Sequence, residues 1–404
     1  MKLKKVAIIV PGLLPVPSVK GGAIETLITG FLAENEKKRL IDISVFSAYN
    51  KTAVLQSKKY PNTQFVWIKY SCINKVINII TRLYTIITKK NVPHFGVLQI
   101  IHKLKMGTFD LVVIEGNDQQ IVPISKVVRI ENTYFHLHAR LFSTPDIYDS
   151  CTKVITVSNY IRNQVLLNTN KKEKDVVVLK NCTDISLFSR DNNIQSRDNI
   201  RNKYGISKTD VVICYTGRIV KEKGVDELIQ SLLLLPENLM FKLFIVGSSG
   251  SAFGLANGSS EYFTKVSILA GKLKNKVIFT GFMHNSEIPH ILASSDISAI
   301  PSIYEEPGAL TVFENLAAGL PIVTTDSGGI PEYVTEDCAI IIRRDQNLIT
   351  NLSKALIELI TSKEKREAMG QAGLKHVQQF SYENYYNDFL EIINESPSNM
   401  RSCN

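Results

Sequence analysis

Short apolar runs alternate with helix-length amphipathic stretches along the whole chain. A parallel sheet with helices on both faces has this pattern, because each buried strand is followed by a crossover helix. The candidate strands are Val6–Val10, Ile43–Ser47, Leu111–Glu115, Val154–Val157, Val211–Tyr215, Phe241–Val246, Val277–Thr280, Ile297–Ile300 and Ile322–Thr324. We therefore predict an α/β fold in which each half of the chain forms one doubly wound sheet.

The length of 404 residues and one polar stretch predict where the chain divides. A single core of ordinary size would not hold so many residues. Residues 186–210 are rich in Asn, Asp, Arg and Ser and contain no strand-like run, so we predict a linker there. The predicted Rossmann-like domains are 1–185 and 211–380, and an aromatic C-terminal helix at about 381–396 is predicted to pack back on the first.

Cysteine usage and hydropathy predict a protein of the reducing cytoplasm that is not integral to a membrane. The six cysteines are scattered singly, without a Cys-x-x-Cys pair. The first apolar run ends at Pro11 after about five residues, which is shorter than the core of a signal peptide. No uncharged apolar run approaches the roughly 20 residues that span a bilayer.

The positive charge is concentrated in the first half of the chain. The net charge is +9, and the stretch between Asp42 and Asp110 contains no acidic residue. Within it, residues 73–87 place an apolar face opposite a basic one. Two interpretations stand open: peripheral contact of residues 51–105 with an anionic membrane at the inner face of the cell, or a core-packed helix with a solvated basic face.

Ligands bind open α/β sheets beyond the carboxyl ends of the strands, so the loops there carry the candidate site. Gly21 and Gly22 follow the first strand, where backbone N–H groups can approach a phosphate or sugar closely. Arg218 and Lys223 follow the first strand of the second half, where they could neutralise a diphosphate. An ordinary turn with solvated side chains is the alternative at both places.

The segment after Ile297–Ile300 is the most informative. Glu306 and Glu314 flank a helix start and can accept hydrogen bonds from the hydroxyls of a sugar and a ribose. Further N–H donors for anionic or hydroxyl oxygens are predicted at that start, on Ala309, Leu310 and Thr311. A general acid and base pair, as in a glycosidase, is a weaker alternative, because a diphosphate leaves without a strong acid.

Taken in order, these motifs resemble glycosyltransferase family four of the GT-B superfamily, whose mark is two glutamates separated by seven residues, here Glu306 and Glu314. The similarity covers nearly the whole chain and is strongest from Val211 to Val334. The other matching motifs are Gly21-Gly22, Asn181 to Phe188, Gly217-Arg218 with Lys223-Gly224, Gly281-Phe282 and Ser327 to Glu332. The resemblance implies the GT-B fold, two doubly wound Rossmann-like domains facing across a cleft, with the acceptor bound by the first and the donor by the second.

The resemblance also implies a role for each matching residue. Arg218 and Lys223 would bind the donor pyrophosphate, and Glu306 would hold the transferred sugar with the backbone from Gly308 to Thr311. Glu314 would take the ribose hydroxyls, while Gly281 and Phe282 would lie at the nucleobase. His138 would accept a hydrogen bond from the sugar 6-hydroxyl, with a structural histidine as the alternative. His136 alternates in step with it if the segment is extended.

The implied reaction is a metal-independent transfer with retention of configuration, in which acceptor attack and nucleotide departure occur on one face. The sequence has no Asp-x-Asp motif, and the two cations could do the electrostatic work of a metal ion. The expected donor is a UDP-hexose or UDP-N-acetylhexosamine, a substrate and not a cofactor. A glycan or lipid-linked acceptor of surface polysaccharide assembly is expected, with no cofactor and no nucleic acid.

Two other functions stay open on the sequence alone. A nucleotide-sugar epimerase can share this fold, although the first half offers no clear set of catalytic carboxylates for it. A non-catalytic protein that binds glycans or phosphates would suit the net charge, but the motif glutamates would be unhelpful beside phosphates.

Overall fold

The computed structural model describes residues 3–12, 14–69, 95–141, 144–249 and 261–394. The chain forms two compact units. Unit 1 contains Met1–Asn181 together with Tyr382–Asn404, and unit 2 is Cys182–Ser381.

Unit 1 is built on a parallel sheet of seven strands in the order β3-β2-β1-β4-β5-β6-β7. Its strands are β1 (Lys4–Ile9), β2 (Ile41–Ala48), β3 (Thr63–Ile68), β4 (Leu111–Glu115), β5 (Thr133–Leu137), β6 (Lys153–Thr156) and β7 (Val176–Val178). Its described helices are α1 (Ala23–Lys38), α2 (Lys51–Gln56), α3 (Phe95–Met106), α4 (Ile121–Ser125) and α5 (Asn159–Asn168), joined by the C-terminal helix of the chain.

Unit 2 is built on a parallel sheet of six strands in the order β10-β9-β8-β11-β12-β13. Its strands are β8 (Val211–Thr216), β9 (Phe241–Val246), β10 (Val277–Gly281), β11 (Ile297–Ile300), β12 (Ile322–Thr325) and β13 (Ala339–Ile342). Its described helices are α6 (Ile185–Phe188), α7 (Ile194–Lys203), α8 (Val225–Leu233), α9 (Glu261–Gly271), α10 (Ile288–Ser294), α11 (Leu310–Ala317), α12 (Leu348–Thr361) and α13 (Lys363–His376). The last helix, α14 (Tyr382–Asn394), belongs to unit 1.

The two sheets share one topological feature. In unit 1 the strand order reverses between β1 and β4, and in unit 2 it reverses between β8 and β11. Loops diverge at such a switch point and leave a crevice at the carboxyl ends of the strands. The β4 and β11 strands are fully buried, as expected for the centre of a sheet covered on both faces.

All nine predicted strands are present: three have the predicted ends, and the ends of the other six differ by at most two residues. Four observed strands were not predicted: β3, β5, β7 and β13. The β7 and β13 strands have only three and four residues, and β3 and β5 mix polar with apolar residues. Periodicity is a weak signal over such short segments.

Residues 186–210 are not the open linker that the composition predicts. Most of α6 and all of α7 lie there, inside unit 2. Arg197 and Arg201 on α7 each donate to the Asp296 carboxylate, at 2.8 and 2.6 Å. The polar residues that resemble a linker are therefore the ones that attach this segment to the start of β11.

The aromatic helix α14 packs on α1 within unit 1. The rings of Tyr385, Tyr386 and Phe389 surround Phe31 at centroid distances of 6.1, 5.3 and 4.9 Å. The Tyr386 hydroxyl also donates to Asn35 Oδ1 at 2.7 Å. Aromatic rings of this size bury a large apolar area, so α14 completes the core of unit 1.

The predicted amphipathic segment 73–87 lies outside the described residues, as do all of residues 70–94 within the longer range 51–105. In the part of the chain that is described, no helix combines the length and apolar character needed to cross a bilayer. Cys151, Cys182, Cys214 and Cys338 are free thiols in buried positions.

Candidate active site

The switch point of unit 2 brings together two side chains that the motifs singled out. Lys223 follows β8 in a short 3-10 turn, and Glu306 lies in the loop after β11. The Lys223 Nζ atom is 2.5 Å from Glu306 Oε1. Only 4% of the Glu306 side chain is exposed, against 20% of Lys223, so the pair forms a partly buried ion pair with the cation nearer to solvent.

Glu306 also accepts hydrogen bonds from two hydroxyls of its own loop. Ser302 Oγ donates to Oε1 at 2.6 Å, and the Tyr304 hydroxyl donates to Oε2 at 2.8 Å. The backbone N–H of Glu306 donates to Ser327 Oγ at 3.2 Å. An ionised carboxylate offers about four acceptor positions, so the contacts with Lys223, Ser302 and Tyr304 leave roughly one for a ligand hydroxyl.

Glycines allow the loops around this pair to touch through their backbones. A Cβ on Gly224, where φ is 67°, would lie 1.9 Å from the carbonyl oxygen of Pro301. A Cβ on Gly328, where φ is 52°, would lie 2.3 Å from the carbonyl oxygen of Glu306. Both positions require a left-handed backbone and a close approach, for which glycine is suited. Gly224 and Gly328 therefore join the loops after β8 and β12 to the loop after β11.

A second ion-pair group holds the outer part of the same loops. Arg344, which follows β13, donates to Glu305 Oε1 at 2.7 Å and to Asp326 Oδ1 at 3.0 Å. The other Glu305 oxygen accepts from the backbone N–H of Gly328 at 2.6 Å. Glu305 thus supports the loops, while its neighbour Glu306 faces Lys223. The sequence analysis assigned no role to Glu305, Asp326 or Arg344.

The remaining motif residues of unit 2 lie at the same sheet edge. Arg218 is exposed after β8, and its carbonyl oxygen accepts a hydrogen bond from the Tyr215 hydroxyl at 2.6 Å. Gly281 ends β10 with φ at 73°, and the next residue, Phe282, is 59% exposed. Its ring meets that of His284 edge to face at 5.5 Å, which leaves an exposed aromatic surface beside β10.

The helix α11 begins at Leu310, and Ala309 is its N-cap. The predicted helix start is therefore correct, with Gly308, Ala309, Leu310 and Thr311 all partly exposed there. Glu314 lies one turn further on. Burial raises its pKa to about 7, and among the described residues no cation lies within ion-pair distance of it. Glu306 therefore has an ion-pair partner, whereas Glu314 has none among the described residues. Glu306 precedes α11, and Glu314 lies within it.

The switch point of unit 1 holds the glycine loop. Gly21 and Gly22 precede α1 with φ of 76° and 99°. A Cβ on Gly22 would lie 2.2 Å from Glu25 Oε2, so the Glu25 carboxyl fills the space beside the loop. Glu25 is 6% exposed, and burial raises its pKa.

Beside this loop, His138 forms part of a buried acidic and imidazole cluster. Glu115, the last residue of β4, places Oε2 2.6 Å from His138 Nε2 and 3.1 Å from His136 Nδ1. The two imidazole rings lie 3.9 Å apart between centroids. Burial would raise the pKa of Glu115, but the two histidines lower it to about 2. Burial, together with His136, lowers the pKa of His138 to about 4.

Glu115, His136 and His138 are also a group that could hold a metal ion, since their ligand atoms lie within 4.8 Å of one another. Two histidines and one carboxylate suit a transition metal in kind. However, atoms around a tetrahedral zinc lie about 3.3 Å apart when each is about 2.0 Å from the ion. The 2.6 Å contact between Glu115 and His138 is a hydrogen-bond distance, so the group has the geometry of a hydrogen-bonded cluster.

Sequence reasoning selected Lys223, Glu306 and His138, but it missed the groups that hold them. The missed residues are Glu25, Glu115, Ser302, Tyr304, Glu305, Ser327, Asp326 and Arg344. For Glu115 a signal was available: an acidic residue ends a buried strand, as ligand-binding residues of such sheets often do. The contacts of the other missed residues depend on loop conformation. Loops lack the periodic sequence pattern from which helices and strands can be predicted.

The chain is similar to known proteins over nearly its whole length. Residues 196–376 match the family described as glycosyl transferases group 1. Spore coat protein SA of Bacillus subtilis is 23% identical over 97% of this chain and 100% of its own. The lipopolysaccharide 1,2-N-acetylglucosaminetransferase of Salmonella typhimurium is also 23% identical, over 96% of this chain and 98% of its own.

Among solved structures, Anabaena Alr3699/HepE in complex with UDP and glucose superposes with a TM-score of 0.75 at 18% identity. The superposition covers 96% of this chain and 99% of that protein, which places the fold in the GT-B class. The ion pair of unit 2, the loops around it and the matched segment all lie in the same part of the sequence. The chain is therefore a glycosyltransferase with the GT-B fold, and residues 196–376 match the glycosyl transferases group 1 family.

Proposed function

We propose that this glycosyltransferase moves a hexosyl or N-acetylhexosaminyl unit from a UDP-sugar to a glycan or lipid-linked acceptor, with retention of configuration and without a metal ion. The observation that carries the proposal is the Lys223–Glu306 pair at the switch point of unit 2. It combines a cation for the leaving diphosphate with an acceptor for the sugar that is being transferred.

The diphosphate is bound by charge at the loop after β8. Lys223 has 20% of its side chain exposed, and Arg218 is exposed on the same loop. Two cations beside a diphosphate stabilise the negative charge that grows as the nucleotide leaves. That is the work a divalent metal does in other transferases, and it supports a metal-independent reaction. Apart from the donor, which is a substrate, no cofactor is needed.

The sugar and nucleoside are bound by the loop after β11 and by α11. Glu306 has an acceptor position left for a sugar hydroxyl, and the partly exposed segment from Gly308 to Thr311 offers backbone N–H groups. Glu314 accepts from the ribose hydroxyls, and the exposed ring of Phe282 with Gly281 contacts the base. His138 accepts a hydrogen bond from the 6-hydroxyl of the sugar.

The occupied state of Glu306 supports a transfer that forms no covalent glycosyl-enzyme. Its carboxylate already accepts from Lys223, Ser302 and Tyr304, so it is a weak nucleophile toward an anomeric carbon. In the proposed reaction the acceptor hydroxyl attacks the face from which the nucleotide departs. A donor phosphate oxygen takes the acceptor proton, and the leaving nucleotide carries it away.

Two relatives support the donor and acceptor classes. The Salmonella protein is named as an N-acetylglucosaminetransferase of lipopolysaccharide, and the Anabaena structure contains UDP and glucose. We infer a UDP-hexose or UDP-N-acetylhexosamine donor and an acceptor from cell-surface polysaccharide assembly. The reaction then takes place at the cytoplasmic side of the membrane, where lipid-linked acceptors are built.

The test begins with a thermal melting screen of the purified chain against nucleotide sugars. One UDP-sugar should raise Tm, and UDP should then be released only when an acceptor extract is added, also in the presence of EDTA. NMR of the product should show the anomeric configuration of the donor. Isomerised UDP-sugar formed without acceptor would select the epimerase, and binding without any turnover would select a non-catalytic protein. An inverted product would refute retention.

Peripheral membrane contact is the second part of the proposal. Lys58, Lys59 and Lys105 are exposed, and so are the apolar side chains of Leu55 and Met106, at 64% and 77%. Basic groups near an anionic bilayer contribute about 1 kcal/mol each. The protein should sediment with phosphatidylglycerol vesicles and not with phosphatidylcholine vesicles, and Lys58→Glu with Lys59→Glu should weaken this binding. Absence of sedimentation with both vesicle types would refute membrane contact.

A further inference from the structure

Glu115 lies at the centre of the unit 1 cluster and has no role in the donor chemistry described above. Its Oε2 atom is 2.6 Å from His138 Nε2 and 3.1 Å from His136 Nδ1. The exposed fractions of the Glu115, His136 and His138 side chains are 6%, 1% and 9%. A buried carboxylate in this position must be hydrogen-bonded, because an unpaired charge away from water is costly.

The contact determines where the proton of His138 lies. An ionised carboxylate only accepts hydrogen bonds, so the Nε2 atom that faces Glu115 carries the hydrogen. The neighbouring imidazole of His136, 3.9 Å away between ring centroids, disfavours a positive charge on His138. With His138 neutral, its second nitrogen, Nδ1, has a free lone pair and can only accept.

The charged groups around the cluster keep this state over a wide range of pH. They come from four directions: Glu115 from β4, His136 from β5, His138 from the loop after β5 and Glu25 from α1. The pKa of Glu115 is lowered to about 2 and that of His138 to about 4, while burial and the Glu115 charge raise the pKa of Glu25. Between about pH 5 and 9, His138 therefore stays neutral and Glu115 stays ionised.

The orientation of the His138 ring is fixed by packing as well. Gly116, directly after Glu115, has φ at 63°, and a Cβ there would lie 2.7 Å from Ile24 Cδ1 and 3.8 Å from His138 Cδ2. The ring edge that contains Cδ2 and Nε2 thus faces Gly116 and Glu115. The opposite edge, which carries Nδ1, faces away from them. Among the described residues, no hydrogen bond is made by Nδ1.

We infer that Glu115 is a positioning residue, which holds His138 in the tautomer whose Nδ1 accepts a hydrogen bond from a hydroxyl of the transferred sugar. This inference rests on the proposed function for the identity of the ligand, but the tautomer itself does not depend on it. A fixed acceptor selects for a sugar that carries a hydroxyl at that position. A donor without that hydroxyl leaves Nδ1 without this partner and is bound less well.

The first test is spectroscopic and needs no substrate. Ring nitrogen spectra of ¹⁵N-histidine-labelled protein, with His138→Gln for assignment, report the tautomer of His138 directly. We expect a neutral ring with the proton on Nε2 from pH 6 to pH 9. A proton on Nδ1, or an imidazolium in this range, would overturn the inference even if transfer is normal.

The second test uses Glu115→Gln, whose amide can donate as well as accept. We expect a mixture of tautomers and a loss of about 10- to 100-fold in kcat/KM, as for other groups that orient a reacting histidine. Glu115→Asp keeps an ionised acceptor and should keep the Nε2–H tautomer with more activity than Glu115→Gln. Glu34→Gln, another buried glutamate of unit 1, is the matched control and should leave His138 unchanged.

The third measurement separates positioning from a structural role. It compares UDP-glucose or UDP-N-acetylglucosamine, whichever the melting screen selects, with its 6-deoxy analogue. Wild-type enzyme should prefer the 6-hydroxyl donor, and this preference should fall in Glu115→Gln. A variant that loses activity equally for both donors, with wild-type tautomer, would refute positioning. If wild-type protein transfers no sugar at all, the proposed function fails while the spectra still decide the tautomer.

Discussion

Both units place a buried carboxylate at the same topological position, but they surround it with different chemistry. Glu115 ends β4 and Glu306 follows β11, and each strand borders the switch point of its own sheet. Glu306 is paired with Lys223, which follows the strand across the switch point. Glu115 instead contacts the imidazoles of His136 in β5 and His138 in the loop after β5. At this position, the carboxylate of unit 2 forms an ion pair with a lysine. In unit 1 we infer that the carboxylate fixes the tautomer of His138.

The difference follows from what lies in the loop after the first strand of each sheet. In unit 2 that loop carries Arg218 and Lys223, which suits a phosphate. In unit 1 it carries Gly21 and Gly22, with Glu25 beside them. Lys20 of this loop is exposed, whereas the Glu115 carboxylate contacts the buried imidazoles of His136 and His138.

The strongest way to break this comparison is to remove the unit 2 cation. Lys223→Met should lower transfer by about 100- to 1000-fold and lower the free energy of unfolding by about 2–4 kcal/mol, because Glu306 stays buried without its partner. The double variant Lys223→Met with Glu306→Gln should recover most of the stability and none of the activity. UDP release and urea denaturation measure the two effects.

Lys265→Met is the matched control for that pair. Lys265 contacts the buried Asp226 at 2.6 Å, so it also loses an ion pair, but away from Glu306. It should keep transfer within a few-fold of wild type, since Lys265 has no role at the donor. Equal losses of activity in Lys223→Met and Lys265→Met would contradict a specific role for Lys223.

The second prediction concerns the backbone contact that brings the two loops of unit 2 together. Gly224→Ala should destabilise the protein by more than about 2 kcal/mol, because left-handed strain adds to a clash with Pro301. Gly205 has a similar φ of 60° but open space around it, so Gly205→Ala should cost only about 1 kcal/mol and leave transfer intact. Equal effects of the two substitutions on Tm would show that the close approach contributes nothing.

The third prediction sharpens the contrast between paired and unpaired carboxyls. The folded pKa of Glu314, about 7, lies above the value of 4.5 for a free side chain, so folding is penalised once the pH exceeds 4.5, and fully so above 7. Glu314→Gln should therefore raise the free energy of unfolding by roughly 1–3 kcal/mol at pH 8 and change it little at pH 4.5. It should also weaken donor binding about 10-fold at pH 8, where wild-type Glu314 is ionised.

Denaturant curves at the two pH values, with donor titration by calorimetry, test this prediction. Wild-type donor affinity should fall as the pH drops below about 7, because a proton must leave Glu314 before the ribose hydroxyls can bind. Glu314→Gln should lack that dependence. A stability change that is the same at pH 4.5 and pH 8 would contradict an ionised, unpaired carboxyl.

The smallest effect is expected from Arg344→Met. Its guanidinium joins Glu305 and Asp326 near the surface, with 22% of its side chain exposed. Ion pairs of this kind contribute about 1 kcal/mol or less, so transfer should stay within about threefold of wild type. A loss as large as that of Lys223→Met would mean that the outer ion-pair group, and not the Lys223–Glu306 pair, organises the loops.

The fold class could be predicted from the sequence because the strands at both switch points are apolar and uninterrupted. Leu111–Glu115 and Ile297–Ile300 could be recognised from composition alone, and the loops after such strands are where ligands bind. Glu306 and Lys223 were selected by their positions in loops after strands, and His138 by motif resemblance. Their partners were not, since Ser302, Tyr304 and Glu115 meet them only through loop conformation or across strands.

The linker prediction was wrong for a related physical reason. Polar composition is typical of solvated linkers, but Arg197 and Arg201 meet a carboxylate distant in sequence, Asp296, and that partner decides whether the segment packs. No local pattern around residues 186–210 contains this information.

The position of α14 has a consequence for how the protein is made. The aromatic rings of α14 cover Phe31 on α1, but the ribosome translates α14 after all of unit 2. While the ribosome is still synthesising unit 2, the nascent unit 1 displays an uncovered aromatic groove, which chaperones can bind. Chains that terminate early keep this groove open, so we expect cellular proteases to remove them in preference to chains that carry the closing helix.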